Sequence, residues 1–156
     1  MATDLTPEMF GDRPPEGLAD VTGFLLAFNG RRAARAYAEA LQPLGLRPPQ
    51  ILVLTLIEDS PGITQKECVG RSRIDPSSLV ALVDELEELG LAQRRTHPDD
   101  RRKHAVYLTA KGRRKLQRAR EVGTEVTDKL LASLEPDERE MLRHLLQKCS
   151  AGTSPP

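Results

Sequence analysis

The side chains in this sequence best suited to chemistry are arginines, lysines and small hydroxyls, and the chemistry they suit is contact with nucleic acid. Cationic side chains neutralise phosphates, and serine hydroxyls contact phosphates or base edges. Between residues 93 and 120 the chain has eleven Lys or Arg and two Asp or Glu, whereas the whole chain has a net charge of zero. Such a basic block is an electrostatic footprint for phosphate. For its second half, Lys111 to Arg120, a solvated helix face is the alternative explanation.

Two short helices joined by a turn precede the wing part of this block and would position the hydroxyls. Thr64 and Glu67 form the capping pattern of a first helix. Asp75, followed by proline, suits the N-cap of a second helix, and Gly90 suits its C-terminal cap. One apolar face at helical spacing runs along the second helix through Leu79, Leu82, Val83, Leu86 and Leu89.

A β-hairpin is predicted after the second helix. Segments 91–96 and 105–109 can pair as strands, and residues 97–104 form a polar loop between them. Taken alone, this loop could be an ordinary solvated turn. After a helix-turn-helix, however, a basic hairpin tip can lie along a duplex and place an arginine in the minor groove. Thr109 then caps the next helix.

These elements resemble the MarR family (multiple antibiotic resistance regulators) over roughly residues 18–149. The resemblance rests on Ile63-Thr-Gln-Lys-Glu67, on Asp75-Pro-Ser-Ser-Leu-Val-Ala-Leu-Val-Asp-Glu-Leu-Glu-Glu-Leu-Gly-Leu91, and on Asp100-Arg-Arg102 with Val106-Tyr-Leu-Thr109 and Gly112. It implies a mainly α fold with a small β-hairpin wing, that is, a winged helix-turn-helix with long terminal dimerisation helices. It also implies a transcriptional regulator, expected here to be a repressor, that binds a pseudo-palindromic operator in double-stranded DNA as a homodimer.

The second helix of the motif departs from the family pattern. It contains no Arg or Lys, Ala81 stands where the family commonly has arginine, and residues 84–88 are mostly acidic. A bidentate guanine contact from this helix is therefore not expected, and its small outward residues would supply close fit. The family pattern assigns Asp100 to orienting the wing and Arg102 to the minor groove. The predicted DNA-binding residues are Gln65, Arg71, Arg73, Ser77, Ser78, Val80, Ala81, Arg94, Arg95, Asp100, Arg101, Arg102 and Lys103.

Apolar stripes near both ends of the chain exceed what a small winged domain can cover. Helices are predicted from Leu18 to about Leu41, from about Ala110 to Leu134, and from Pro136. In a two-fold dimer each stripe would meet its equivalent, whereas the alternative is that the helices fold back on their own winged domain. We assign a flexible arm to 1–17, dimerisation to 18–47 and 110–149, the winged helix-turn-helix to 48–109, and a flexible tail to 150–156. The predicted dimer contacts are Leu18, Val21, Leu25, Met141, Leu142 and Leu145.

The resemblance also implies a small-molecule effector. Many family members bind small aromatic or phenolic acids between the dimer helices and the winged domain, and binding lowers DNA affinity. Core packing or surface charge would explain the same residues without a ligand. The side chains expected near such a pocket are Phe24, Phe28, Arg31 and Tyr37.

Other functional classes have less support in the sequence. The three histidines match no metal spacing, no nucleophile motif or Gly-rich phosphate loop occurs, and we expect neither an enzyme nor a cofactor. Cys68 and Cys149 match no zinc or disulfide spacing, and we expect Cys68 to be a small core residue. No apolar run approaches the ~18 residues that span a bilayer, so we expect a cytoplasmic protein without a membrane partner. The remaining alternative is a winged-helix module that binds protein and not DNA.

Overall fold

A helix-turn-helix and a small sheet form the central part of the fold, and longer helices flank it. The computed structural model describes residues 13–96 and 104–152. Short 3₁₀ helices cover Glu16–Leu18 and Gln42–Leu44. The main elements are α1 (Thr22–Leu41), α2 (Pro48–Asp59), β1 (Ile63–Thr64), α3 (Gln65–Arg71), α4 (Pro76–Glu88), β2 (Ala92–Thr96), β3 (His104–Leu108), α5 (Ala110–Leu130) and α6 (Pro136–Gly152). This order confirms the predicted mainly α fold with a β-hairpin wing.

Three of the helices begin at side chains that cap their free amides. Thr64 accepts from the amide of Glu67, and Asp75 and Thr109 each accept from the amide three residues further on. Gly90 ends the turn after α4 with a φ of 68°, a left-handed conformation that glycine adopts without steric cost. These caps are where the sequence patterns predicted them.

The sheet contains one strand more than the predicted hairpin. β1 pairs antiparallel with β3, so the strand order is β1-β3-β2. Ile63 lies opposite Val106, and both side chains are buried. In the hairpin itself, Ala92 pairs with Leu108, and Thr96 pairs with His104. β1 therefore connects the turn after α2 to the base of the wing.

Buried aliphatic side chains from α2, α4 and the sheet form the core. Val53, Leu54 and Ile57 of α2 have 1% exposure or less, as expected for a helix that is apolar on most sides. The apolar face of α4 is buried from Leu79 to Leu86, but Leu89 is 40% exposed. The predicted face therefore ends one turn early, because the chain leaves α4 at this point.

The helix ends differ from the predictions by a few residues. α1 begins at Thr22 because Val21 has an extended backbone, and Leu18 lies in a separate 3₁₀ helix. α5 ends at Leu130, four residues before the predicted end. α6 continues to Gly152, three residues into the segment assigned as a tail. Within the described residues, no helix is long and apolar enough to cross a membrane.

Candidate nucleic-acid interface

Gln65 occupies the first position of α3, and its side-chain amide points toward the wing strand. Its Oε1 accepts from Arg94 Nε at 3.4 Å. Its Nε2 is buried and has no hydrogen-bond partner among the described residues. The capping box of Thr64 and Glu67 holds the start of this helix. In the structure Gln65 contacts Arg94, and a DNA contact from Gln65 stays a prediction.

Asp75 organises the first turn of α4 and binds the serines assigned to DNA contact. Ser77 Oγ donates to Asp75 Oδ1 at 2.5 Å, and the Ser78 amide donates to the same oxygen at 3.0 Å. The Ser77 hydroxyl, followed by the hydroxyl and amide of Ser78, holds the pKa of Asp75 well below its ordinary value. Because the Ser77 proton is directed at Asp75, its oxygen is left as an acceptor, which suits the amino group of adenine or cytosine.

The N-terminal half of α4 exposes a face of small side chains. Ser77, Ser78 and Ala81 are exposed, and Val80 is 44% exposed. Short side chains allow a helix backbone to approach the floor of a major groove about 12 Å wide. The methyl groups of Val80 and Ala81 suit contact with the thymine methyl. The predicted outward residues of the second helix are thus together on one accessible face.

Three of the four carboxylates in the acidic half of α4 are paired with arginines of the same chain. Arg94 Nη1 lies 2.7 Å from Asp84 Oδ1 and also forms an ion pair with Glu87. Glu85 Oε2 accepts from Arg47 Nη2 at 2.5 Å. These carboxylates attach α4 to β2 and to the start of α2. Their charge is therefore partly compensated within the protein, which the local sequence pattern does not reveal.

The other predicted DNA-binding cations lie in the turn and on the wing. Arg71 and Arg73 are exposed at the end of α3 and in the turn, and Arg71 Nη1 donates to Ser60 Oγ at 2.6 Å. Arg95 is exposed on β2, with its guanidinium carbon 5.3 Å from the centroid of the Tyr107 ring. The predicted tip of the wing lies outside the described residues, and this applies to Asp100, Arg101, Arg102 and Lys103.

A close junction joins the loop after α4 to the start of α5. The Thr109 amide donates to Leu91 O at 3.0 Å, and Thr109 Oγ1 donates to Gly90 O at 2.7 Å. A Cβ atom added to Gly112 would lie 2.0 Å from Leu91 O, so only glycine permits this approach. The signal for this contact in the sequence is the Leu-Thr-x-x-Gly pattern that ends at Gly112.

The cations at the start of α5 bind oxygens of the protein. Lys111 Nζ donates to Leu89 O, and Lys115 Nζ donates to Leu44 O, both at 2.7 Å. Positive charges at these positions satisfy carbonyls at the ends of other helices. Farther along α5, arginines form ion pairs with carboxylates of α5 and α2. Most of these cations are also exposed, so this half of the basic block is a solvated helix face several of whose cations bind oxygens of the protein.

A cleft of about 690 Å³ lies between α1 and α5 and contains one of the four predicted effector residues. Tyr37 lines it opposite Arg120, and burial raises the pKa of the tyrosine hydroxyl while Arg120 lowers it. Phe24, Phe28 and Arg31 do not line this cleft. Phe28 is buried and stacks on Phe24, with ring centroids 6.0 Å apart. The alternative of core packing therefore fits Phe28 well.

Three of the six predicted dimer residues are exposed in the single chain. Val21, Met141 and Leu145 are 47%, 57% and 49% exposed. Leu26 and Leu146 were not among the predicted contacts, and they are exposed to a similar extent. Leu18, Leu25 and Leu142 are half-buried.

The two cysteines differ in exposure. Cys68 is completely buried, as predicted, and burial, followed by the adjacent Glu67, raises the pKa of its thiol. Cys149 is exposed on α6. Across residues 13–96 and 104–152, no three His, Cys, Asp or Glu side chains are grouped as metal ligands.

Two helices joined by a turn, a three-stranded sheet and a basic wing define the winged helix-turn-helix class of proteins. The model of the MarR family matches residues 46–104 of the chain. Transcriptional regulator HosA of Escherichia coli O111:H- is 32% identical over 103 residues, which cover 66% of this chain and 76% of HosA. The chain belongs to the MarR family of transcriptional regulators.

Solved structures of relatives have the same fold. CouR from Rhodococcus jostii RHA1, bound to p-coumaroyl-CoA, is 32% identical with a TM-score of 0.71, and the match covers 91% of this chain and 100% of CouR. The Mycobacterium tuberculosis MarR family protein Rv2887 in complex with p-aminosalicylic acid is 26% identical with a TM-score of 0.69, covering 83% and 98%. Rv2887 of strain H37Rv carries the name HTH-type transcriptional repressor. The names of HosA and Rv2887 describe transcriptional regulators and not enzymes.

Proposed function

We propose that the protein is a repressor that binds a pseudo-palindromic DNA operator as a homodimer, with α4 in the major groove of each half-site. The observation that carries this proposal is the exposed face of small side chains at the N-terminal end of α4. Recognition helices of this class contact base edges with their N-terminal residues. Because Asp84, Glu85 and Glu87 of the same helix are paired within the chain, they do not prevent that end from approaching phosphate.

Affinity and specificity would come from different elements. α4 has no cation, so it would contribute fit and base contacts through residues such as Ser78 and Val80. The cations of the turn and the wing would contribute phosphate and minor-groove contacts. Arg73 in the turn and Arg95 on β2 are both exposed, which supports this division.

Exposed apolar side chains support a homodimer. Met141, Leu145 and Leu146 form a stripe at helical spacing on α6 and are 42–57% exposed in the single chain. A stripe of this kind is best covered by its own equivalent across a two-fold axis. Two winged domains held in this way would present two α4 helices to successive major grooves.

An aromatic or phenolic acid would act as the effector. Rv2887 binds p-aminosalicylic acid, and CouR binds p-coumaroyl-CoA. In this chain the cleft between α1 and α5 supplies Tyr37 and Arg120, an aromatic ring and a cation. Arg120 also pairs with Glu58 of α2 at 2.5 Å, so a ligand carboxylate there would compete for a contact between α5 and the winged domain.

The operator can be found by sequencing the genomic fragments that the purified protein enriches. Binding is then titrated against salt for the wild type, Arg102→Ala and Ser78→Ala. Each phosphate contact on duplex DNA contributes roughly 0.9 to the slope of log K against log salt. We expect Arg102→Ala to weaken binding strongly. If the Arg102 side chain meets phosphate, the salt slope should fall by about one contact. If it enters the minor groove, the loss of affinity should depend on the DNA sequence beneath the wing.

Ser78→Ala should leave the salt slope unchanged and alter the base preference within each half-site. Arg118→Ala is the matched control for charge, because Arg118 is held by Glu121 and Glu125 on α5. If no genomic fragment is enriched, or if Arg102→Ala binds as tightly as wild type at every salt concentration, the proposal fails. A protein-binding winged module would then become the better explanation.

A further inference from the structure

Arg94 lies on β2 and is held by carboxylates of the recognition helix. Its Nη1 contacts Asp84 Oδ1 at 2.7 Å and forms an ion pair with Glu87, and its backbone amide donates to Glu87 Oε1 at 2.5 Å. Its Nε donates to Gln65 Oε1 on α3 at 3.4 Å. One arginine thus connects the root of the wing to both helices of the helix-turn-helix.

The side chain of Arg94 is less accessible than those of other arginines on the surface. It is 19% exposed, whereas Arg47, which pairs with Glu85, is 61% exposed. To reach a phosphate, the guanidinium would have to leave Asp84 and Glu87 and place two unpaired carboxylates near the DNA. Breaking a sheltered pair of this kind costs more than breaking an exposed one. The same side chain is therefore badly placed to be a phosphate ligand.

We propose that Arg94 is a positioning residue that fixes the wing relative to the recognition helix and neutralises the acidic half of α4. The planar guanidinium suits this role because it presents several donors in a fixed fork, which a lysine ammonium cannot do. This inference rests on the proposed DNA-binding function. It differs from the sequence-based prediction, which placed Arg94 among the residues that contact DNA.

The test compares two neighbouring arginines with the same substitution. Arg94→Met and Arg95→Met each remove one positive charge from β2, but only Arg94 is held by carboxylates of α4. We expect Arg94→Met to lose at least about tenfold in affinity for the operator, comparable with losing one bidentate base contact. Its salt slope should fall by clearly less than the roughly 0.9 of one phosphate contact, because the carboxylates that it unpairs repel DNA weakly at high salt but no phosphate contact is lost. A slope lower by about 0.9 would identify Arg94 as a phosphate contact and overturn the proposal. An unchanged affinity would also overturn it.

Arg94→Lys keeps the positive charge but removes the forked guanidinium. A lysine ammonium can meet Asp84 and Glu87, as Arg94 Nη1 does, but it cannot also replace the bond from Nε to Gln65. This variant should therefore bind with an affinity between those of wild type and Arg94→Met, again with the wild-type salt slope. If lysine restores full affinity, charge alone is sufficient and the fork has no positioning role. This variant also serves as the test if Arg94→Met does not fold.

A measurement without DNA distinguishes failure of this inference from failure of the proposed function. In urea unfolding, Arg94→Met and Glu87→Gln should be coupled, so that the unfolding constant of the double variant departs from the product of the single effects by roughly tenfold. If the two substitutions are coupled but the wild type binds no operator, the positioning role of Arg94 stands and the DNA-binding function is rejected. Independent effects of the two substitutions would reject the positioning role.

Discussion

Gly112→Ala is the substitution for which the structure gives the most direct physical expectation. The added Cβ would lie 2.0 Å from the carbonyl oxygen of Leu91 and 2.9 Å from its carbonyl carbon. Close carbon–oxygen contacts in proteins are about 3.3 Å or longer. The start of α5 and the loop after α4 would therefore have to separate by about 1.3 Å, which is incompatible with the present bonds of Thr109 to Gly90 and Leu91.

The magnitude follows from three contributions. Overpacking of a close contact costs about 1–3 kcal/mol. Loss of the two Thr109 hydrogen bonds costs about 0.5–1.5 kcal/mol for each bond, and alanine returns up to about 1 kcal/mol through its higher helix propensity. The midpoints of the two costs, less the full return of alanine, give a decrease of about 3 kcal/mol in the free energy of unfolding.

Urea unfolding followed by circular dichroism, at one protein concentration for all variants, measures this loss. The matched control is Gly70→Ala in α3, where an added Cβ has no atom within 4 Å. The control should stay within about 1 kcal/mol of wild type. If Gly112→Ala is as stable as wild type, or if both variants lose stability equally, the junction between α4 and α5 does not have the importance that we infer.

Three further expectations concern the thiols, an N-cap and the dimer. In a DNA-binding assay the double variant Cys68→Ala, Cys149→Ala should respond to peroxide like wild type, because Cys68 is buried and the pKa of its thiol is raised. Release of the wild type but not of the variant from DNA by peroxide would contradict this. The pKa of Asp75 is lowered in the folded chain, so its stabilisation is present above the unfolded-state pKa and is lost as pH falls toward the folded-state value. Asp75→Ala should therefore destabilise the protein more at pH 7 than near pH 3 in urea titrations, whereas Asp75→Asn should keep the cap without this titration. Sedimentation should show a dimer at micromolar concentration for wild type, and deletion of residues 136–156 should abolish it; a monomeric wild type would refute the role of α6.

Local patterns were sufficient to predict most of the motif. The caps at Thr64, Asp75 and Thr109 are signals within four residues of each helix start, and the left-handed Gly90 follows from the same kind of local chemistry. The buried positions of α2 follow from its apolar composition. A single sequence carries this information because the interacting groups are neighbours along the chain.

The features that were not predicted depend on partners distant in sequence. β1 has two residues and exists because Ile63 and Thr64 pair with β3, more than forty residues later. The connection of Arg94 to Gln65 spans 29 positions. Neither partner carries a local signature of the pairing. For the same reason, the sequence placed Arg94 with the DNA contacts, although its surroundings in the fold favour a positioning role.

The basic block between residues 93 and 120 shows why a charge count alone does not locate a binding surface. Lys111 and Lys115 bind carbonyls, and Arg118 and Arg120 bind carboxylates. A cation held in this way contributes less to phosphate binding, because the contact that it gives up must be subtracted from the one that it gains. Substitutions of cations in the turn and in the wing should therefore change the salt dependence of DNA binding most. Variants in α5 should affect stability first, and DNA affinity only through the junction at Gly112.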